Sequence, residues 1–201
     1  MKKILILLCC LICTATNAQP TKFTKNLDAY VGTWEYSSAT CTFRIYLKKG
    51  KSYANKGGTF WNEIVYGGHY IAYNGIVITD MEAAVKRATD QTRTENEMNI
   101  VASNAKEKEN QVNPNVLTFS FRDDLKDKRG TGKLTLTPGN PAKLRWQILK
   151  TSEKIILLLD GEPMPVIHQG WTVPEDVVLT KIYDTIGPPK PKDIGPDDEI
   201  L

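Results

Sequence analysis

The stretch CTFRIYLK, residues 41–48, alternates two kinds of side chain along an extended chain. Phe43, Ile45 and Leu47 fall on one face, and the polar residues fall with Tyr46 on the other. Successive side chains of a β-strand point to opposite sides, so this period of two predicts a strand with one buried face. The stretch therefore indicates an antiparallel sheet that covers a core.

The same pattern recurs along most of the chain. Regular alternation marks strands at 117–122, 133–137 and 144–148, and weaker alternation marks 31–36, 59–65, 70–78, 99–103, 155–159 and 177–182. Glycine, proline and asparagine predict turns at 49–51, 56–58, 67–68, 74–75, 129–130, 138–141 and 160–161. About ten short strands without alternating helices predict a barrel or a sandwich, and they disfavour a parallel nucleotide-binding fold.

The first eighteen residues have the features of a cleaved secretory signal peptide. Lys2 and Lys3 precede the apolar run 4–15, and small residues follow at 16–18. The apolar run is shorter than the roughly 20 residues that a membrane-spanning helix needs. We therefore expect a secreted or periplasmic protein that begins at about Gln19, with no membrane span after cleavage.

Removing the signal peptide changes the charge and the cysteine count. The remaining chain keeps 24 of the 26 basic residues and all 23 acidic residues, so its formal charge falls from +3 to +1. This near-neutral balance predicts no nucleic-acid partner. Cys41 is the one cysteine left of four, and a single thiol forms no internal disulfide. The domain is therefore expected to rely on its hydrophobic core.

Two segments depart from the strand pattern. Residues 80–108 are rich in charged and amide side chains, and apolar residues at helical spacing follow Asp80, a possible helix cap. A short helix and an extended insertion both remain open for this segment. Residues 184–201 combine prolines with acidic residues, which predicts an unpacked tail. The expected organisation is a signal peptide (1–18), a linker (19–26), a β domain (27–183) and this tail.

The residues that carry catalytic chemistry are few and scattered. His69 and His168 lie far apart, and neither has a metal-ligand partner at the short spacing of zinc motifs. Cys41 falls on the apolar face of its strand, which favours a buried, inert thiol. The acidic pairs at 123–124 and 175–176 adjoin strand ends, which predicts solvated turn positions. We therefore predict no metal, no cofactor and no catalytic site, and we keep a hydrolase as the least favoured hypothesis.

Aromatic residues are the more informative set. Most lie in or beside predicted strands, where their large apolar area fills a core. In a hollow barrel of about eight strands, a subset lines a cavity for one small ligand instead. The residues predicted to line such a cavity are Trp34, Phe43, Phe119, Phe121 and Trp146.

Residues 28–36, DAYVGTWEY, resemble the opening of a lipocalin-type barrel, where a helical turn leads into a first strand with a Gly-x-Trp motif. The resemblance implies that Gly32 allows a close backbone approach and that Trp34 plugs the closed end of the barrel. It also implies an arginine that covers the tryptophan, for which Arg122 and Arg145 are candidates. The implied fold is an antiparallel, lipocalin-like or calycin-like β-barrel of about 8 to 10 strands with a short N-terminal helical turn.

A second resemblance covers residues 27–183. The motifs at 32–36, 43–50, 170–174 and 177–181 are similar to a family of small exported proteins of unknown function from Bacteroidota. This family supplies a compartment and a fold but no activity. The sequence thus favours a lipocalin-like binder of a small hydrophobic ligand, with a non-catalytic structural or interaction module at the cell envelope as the alternative. The oligomeric state is left open.

Overall fold

The computed structural model describes residues 26–53, 61–89, 98–103, 113–152 and 169–187. The predicted signal peptide, the predicted strand at 155–159, His168 and the turns at 56–58 and 160–161 lie outside the described residues, as does the tail from 188. The described residues form a 3₁₀ turn, nine strands and one helix. In chain order these are the 3₁₀ turn (Leu27–Tyr30), β1 (Gly32–Ser37), β2 (Cys41–Tyr53), β3 (Trp61–Tyr73), β4 (Ile76–Asp80), α1 (Glu82–Arg87), β5 (Ile100–Ser103), β6 (Val116–Asp123), β7 (Lys128–Thr137), β8 (Lys143–Ser152) and β9 (Asp176–Tyr183).

Eight of the nine strands close into an antiparallel barrel. Their order around the barrel is β2, β1, β9, β8, β7, β6, β5 and β3, and pairing of β3 with β2 completes the ring. Strand β4 pairs with β3 outside this ring and exposes Ile76 and Val77. The predicted barrel of about 8 to 10 strands with a short N-terminal helical turn is confirmed.

The two ends of the barrel differ. The end that we call the upper end carries the turns between β1 and β2, between β3 and β4 and between β6 and β7, together with the segment that leads into β9. The Asn74 backbone N–H donates to the Thr40 carbonyl over 2.8 Å and joins the first two of these turns. The lower end carries the 3₁₀ turn and the turn between β7 and β8.

Several predicted turns are wrong because their glycines lie inside strands. Residues 67–68 are in the middle of β3, Gly50 is in β2 opposite Ile64, and Gly130 is in β7 opposite Phe121. Gly67 and Gly130 occupy places where a side chain does not fit: a Cβ on Gly67 would overlap the Tyr46 carbonyl oxygen, and one on Gly130 would lie 2.7 Å from the Trp171 ring. The predicted turns at 74–75 and 138–141 are confirmed.

The outer face of β2 and β3 is also buried. Tyr46, Ile64 and Tyr66 form a second cluster with Val85 of α1 and with Met98. The Asp80 carboxylate accepts a hydrogen bond of 2.9 Å from the Glu82 backbone N–H at the start of α1, so a short helix, one of the two alternatives left open for this segment, forms at Glu82–Arg87. No helix among the described residues is both long and apolar enough to cross a membrane.

The lower end is built around Trp34, which is fully buried. Its indole N–H donates to the Tyr30 carbonyl of the 3₁₀ turn over 2.8 Å. The cation over its ring is Lys181, with Nζ 5.4 Å from the ring centroid. The candidates Arg122 and Arg145 instead form ion pairs with exposed carboxylates on their own sides of the barrel. The expectation of an arginine over Trp34 is therefore wrong, because a lysine of β9 lies there.

Gly32 confirms the expected close approach at this end. Its φ is 125°, and a Cβ there would overlap the Tyr183 carbonyl oxygen of β9. The neighbouring Thr33 hydroxyl donates to the Thr185 carbonyl over 2.7 Å and accepts a hydrogen bond from the Gly187 N–H over 2.8 Å. Residues 184–187, which the sequence assigns to the tail, thus lie against the outside of β1.

Candidate functional site

The five aromatic residues predicted to line a cavity all lie in the barrel interior, in one buried cluster. The Trp146 ring contacts three of the other four rings. Its ring stacks on Phe119 with the centroids 4.1 Å apart, and it makes edge contacts with Phe43 at 5.5 Å and with Phe121 at 5.4 Å. These rings contact one another, and Trp34 lies in the same cluster.

Above the aromatic rings lies a buried polar pair, His69 and Asn99. His69 is on the inward face of β3, opposite Ile45, and Asn99 immediately precedes β5. The Asn99 side-chain amide is 2.7 Å from Nδ1 of His69. The His69 ring also contacts Phe121 at 5.6 Å and Phe43 at 6.4 Å between centroids. The pair therefore sits where the aromatic core meets the upper end.

One polar atom of this pair has no partner. Asn99 is 3% exposed, and among the described residues its Oδ1 accepts no hydrogen bond. A buried carbonyl oxygen left unpaired costs about 1 to 3 kcal/mol. Such an atom in a folded protein calls for an explanation, and an ordered water or an ion is one.

Burial also controls the charge of His69. It lowers the pKa of the imidazole, while the charges of Asp123 and Asp124 oppose this effect more weakly. Because its pKa is lowered, the His69 imidazole is neutral at neutral pH. The ring can accept a hydrogen bond from the Asn99 amide at Nδ1 only in this neutral form.

Acid is expected to destabilise the protein through His69. The unfolded chain takes up the histidine proton at about pH 6.5, whereas the folded chain takes it up at a lower pH. Between these two values the unfolded state binds more protons, so this contribution to stability is complete above about pH 6.5 and is lost as the pH falls. Urea unfolding midpoints at about pH 7.5 and about pH 5 measure the loss.

The matched control is His69→Gln, which replaces the imidazole with a neutral polar amide that cannot titrate. Carboxylates elsewhere titrate equally in both proteins, so the difference between wild type and variant isolates His69. The variant is expected to lose less stability on acidification. Equal losses in the two proteins would contradict the prediction.

Asp123 corrects the expectation of a solvated acidic pair. It is the last residue of β6, faces inward like Phe119 and Phe121, and is 2% exposed. Its carboxylate accepts hydrogen bonds from the Thr172 N–H over 2.6 Å and from the Thr172 hydroxyl over 2.9 Å. Asp124 alone is exposed and pairs with Arg122. The period of two in β6 was the signal that places Asp123 inside.

The segment 169–175, which we call the strap, crosses the upper end before β9 begins. Lys126 donates to the Gln169 carbonyl over 2.6 Å, and Lys128 donates to the Gly170 carbonyl over 2.9 Å. The Tyr73 hydroxyl donates to the Thr172 carbonyl over 3.0 Å. Further in, Val173 is buried in the core cluster. The Trp146 indole N–H donates to the Pro174 carbonyl over 2.9 Å. The strap is thus fastened both to the rim and to the centre of the aromatic cluster.

Removing the Asp123 carboxylate is expected to loosen the strap. Asp123→Ala leaves two donors of Thr172 without their acceptor, and hydrogen bonds to a charged group contribute about 1.5 to 3 kcal/mol each. We expect the free energy of unfolding to fall by about 2 to 3 kcal/mol, and the Thr172 amide to exchange its hydrogen faster. Urea unfolding and hydrogen exchange measure the two effects.

The neighbouring variant Asp124→Ala is the control. Asp124 makes its ion pair on the surface, so its loss is expected to change stability by about 0.5 kcal/mol or less. If the Thr172 amide kept its protection in Asp123→Ala, the fastening role of Asp123 would be wrong.

Cys41 and the second acidic pair lie at the edge of this region. Cys41 is half-buried at the top of β2, and burial raises the pKa of its thiol. Glu175 and Asp176 are exposed, and hydrogen bonding to Arg145 lowers the pKa of Asp176. No group of three or more histidine, cysteine or acidic side chains in the described ranges is placed to hold a metal ion.

A groove of about 430 Å³ lies outside the barrel, between β1, β2, β9 and α1. Its charged groups already have partners: Glu35 pairs with Arg44, and Glu82 pairs with Lys86. Glu82 also lies 3.4 Å from the Tyr46 hydroxyl. The interior differs because it leaves a buried acceptor unpaired, so we take the upper end of the interior as the candidate site.

Comparisons with known proteins identify a family. The model of a family of unknown function, DUF6705, matches residues 1–182. No curated protein and no solved structure matches the chain.

Proposed function

The chain belongs to this family of unknown function, and from its barrel interior we propose that it is an exported, lipocalin-like protein that binds a small, largely apolar ligand. The carrying observation is the buried pair His69 and Asn99, which adjoins the aromatic cluster at the upper end and keeps one acceptor unpaired. Ligand sites in proteins combine mostly apolar walls with a few placed polar groups. This end of the barrel has that composition.

The strap supports the upper end as the entrance. Two of its fastenings come from Lys126 and Lys128, which are half-buried at the rim, and polar contacts at the surface contribute little to stability. Asp123, Val173 and Trp146 hold the inner part of the strap, so opening is confined to its outer end at Gln169 and Gly170. The ligand then enters beside Trp171, which packs on Phe121 with the ring centroids 5.7 Å apart.

The same proposal includes export through the signal peptide at 1–18. Determining the N-terminus of the protein recovered outside the cytoplasm tests this part separately. A mature chain that begins at about Gln19 supports export, and an intact Met1 in all fractions overturns it.

Native mass spectrometry of the purified protein and titration with N-phenyl-1-naphthylamine, an uncharged fluorescent probe, test the binding function. We expect a co-purified small molecule or saturable probe binding with energy transfer from tryptophan. Phe121→Leu removes an aromatic wall next to His69 and is expected to weaken binding several-fold. Leu149→Ala, on the exposed side of β8, is the control and should leave binding unchanged.

Absence of both a co-purified ligand and probe binding would overturn the binding function. Equal probe affinity in Phe121→Leu and wild type would place the probe elsewhere and would also count against the barrel site. The non-catalytic interaction module would then be favoured, since β4 exposes Ile76, Val77 and Ile78 outside the barrel.

A further inference from the structure

The direction of the hydrogen bond between Asn99 and His69 determines what the site offers a ligand. Neutral imidazole carries one ring proton, and with Nδ1 as the acceptor that proton lies on Nε2. The Asn99 Nδ2 group then donates to Nδ1, and Oδ1 is left as a free acceptor. Oδ1 is therefore a buried acceptor that a ligand can pair with, beside the ring N–H at Nε2 of His69.

The residues around the pair further limit the chemical class of the ligand. The walls next to the pair are the Phe43 and Phe121 rings, which favour a flat apolar body. Charges of both signs lie at this end, because Asp123 and Asp124 act electrostatically on His69 while Lys126 and Lys128 donate to the strap. An ionised carboxylate has no hydrogen to donate to Oδ1 of Asn99.

We propose that the ligand of the barrel is an uncharged, aromatic or similarly flat molecule that donates one O–H or N–H hydrogen bond to Oδ1 of Asn99. This inference rests on the proposed binding function and adds the chemical class of the ligand. It makes fatty-acid-like anions poor ligands. It also gives the unpaired atom a partner that replaces the hydrogen bonds it loses on burial.

Two probes of nearly equal shape test the donor requirement by calorimetry on the full protein. Indole has a ring N–H donor, and benzofuran has an oxygen acceptor in its place. We expect indole to bind about tenfold more tightly, which corresponds to one net hydrogen bond. Asn99→Leu should abolish this preference, whereas the exposed control Asn113→Leu should keep it.

The wild-type protein gives a second readout that needs no variant to fold. The Asn99 side-chain amide signals in a ¹⁵N NMR spectrum should shift on addition of indole and stay in place with benzofuran. Equal affinities for the two probes would overturn the donor requirement while leaving barrel binding intact. Tighter binding of benzofuran would show that the amide presents its donors instead, and binding of neither probe would overturn the proposed function itself.

Discussion

Replacing Trp146 with alanine is expected to lower the free energy of unfolding by about 3 to 5 kcal/mol. Trp146 is fully buried, and its ring contacts Phe43, Phe119 and Phe121, which come from two other strands of the barrel. Alanine leaves a cavity that the closed ring of strands cannot collapse to fill, and a large unfilled cavity adds to the lost burial. The indole N–H that holds the Pro174 carbonyl is lost as well. Urea unfolding of wild type and variant measures the difference.

Two further variants make this result interpretable. Leu149→Ala, on the same strand but more than half exposed, is expected to cost about 0.5 kcal/mol or less. Trp146→Phe keeps a ring in the cluster and removes the bond to Pro174, so its loss should be intermediate and its fold retained. A loss below about 1 kcal/mol in Trp146→Ala would show that the aromatic cluster is not the centre of the core.

Local alternation predicted the barrel wall well because side-chain direction in a strand depends only on sequence position. Phe43, Ile45 and Leu47 are fully buried in the core cluster, as the period of two requires. The same rule places Asp123 inside with Phe119 and Phe121, although it lies at the end of the strand next to a turn. The prediction that Asp123 is solvated rested on the common preference of acidic residues for solvent, and it is wrong. The Thr172 N–H and hydroxyl take the place of water around the Asp123 carboxylate.

The candidate site was harder to predict because it is made by strand pairing. Asn99 and His69 lie thirty residues apart and meet only once β5 pairs with β3. The sequence shows that His69 lacks metal-ligand partners nearby, but it does not show which amide reaches its ring. The cation over Trp34 is similar: Lys181 is brought there by the pairing of β9 with β1. In both places the sequence indicated one residue of the contact but did not indicate which residue would lie against it.

Replacing Gly67 with alanine is expected to lower the free energy of unfolding by about 3 kcal/mol. Gly67 pairs with Leu47 of β2 on one side and with Ile100 of β5 on the other. A Cβ there would overlap the Tyr46 carbonyl oxygen, so the two longest strands must separate to make room. Gly139→Ala is the control, because its nearest neighbour, the Pro141 carbonyl oxygen, lies at an ordinary 3.5 Å. Urea unfolding measures both.

A third variant, Gly67→Asn, distinguishes the strand from the hairpin turn that the glycine pair at 67–68 suggests in the sequence. Asparagine is well tolerated in tight turns because it adopts the left-handed backbone conformation there. In the strand it meets the same carbonyl oxygen as alanine and carries a larger side chain, so it should destabilise at least as much as alanine. Tolerance of asparagine together with a small effect of alanine would support the turn. Losses in both variants would mean that this glycine is required for close approach between strands and not for a change of chain direction.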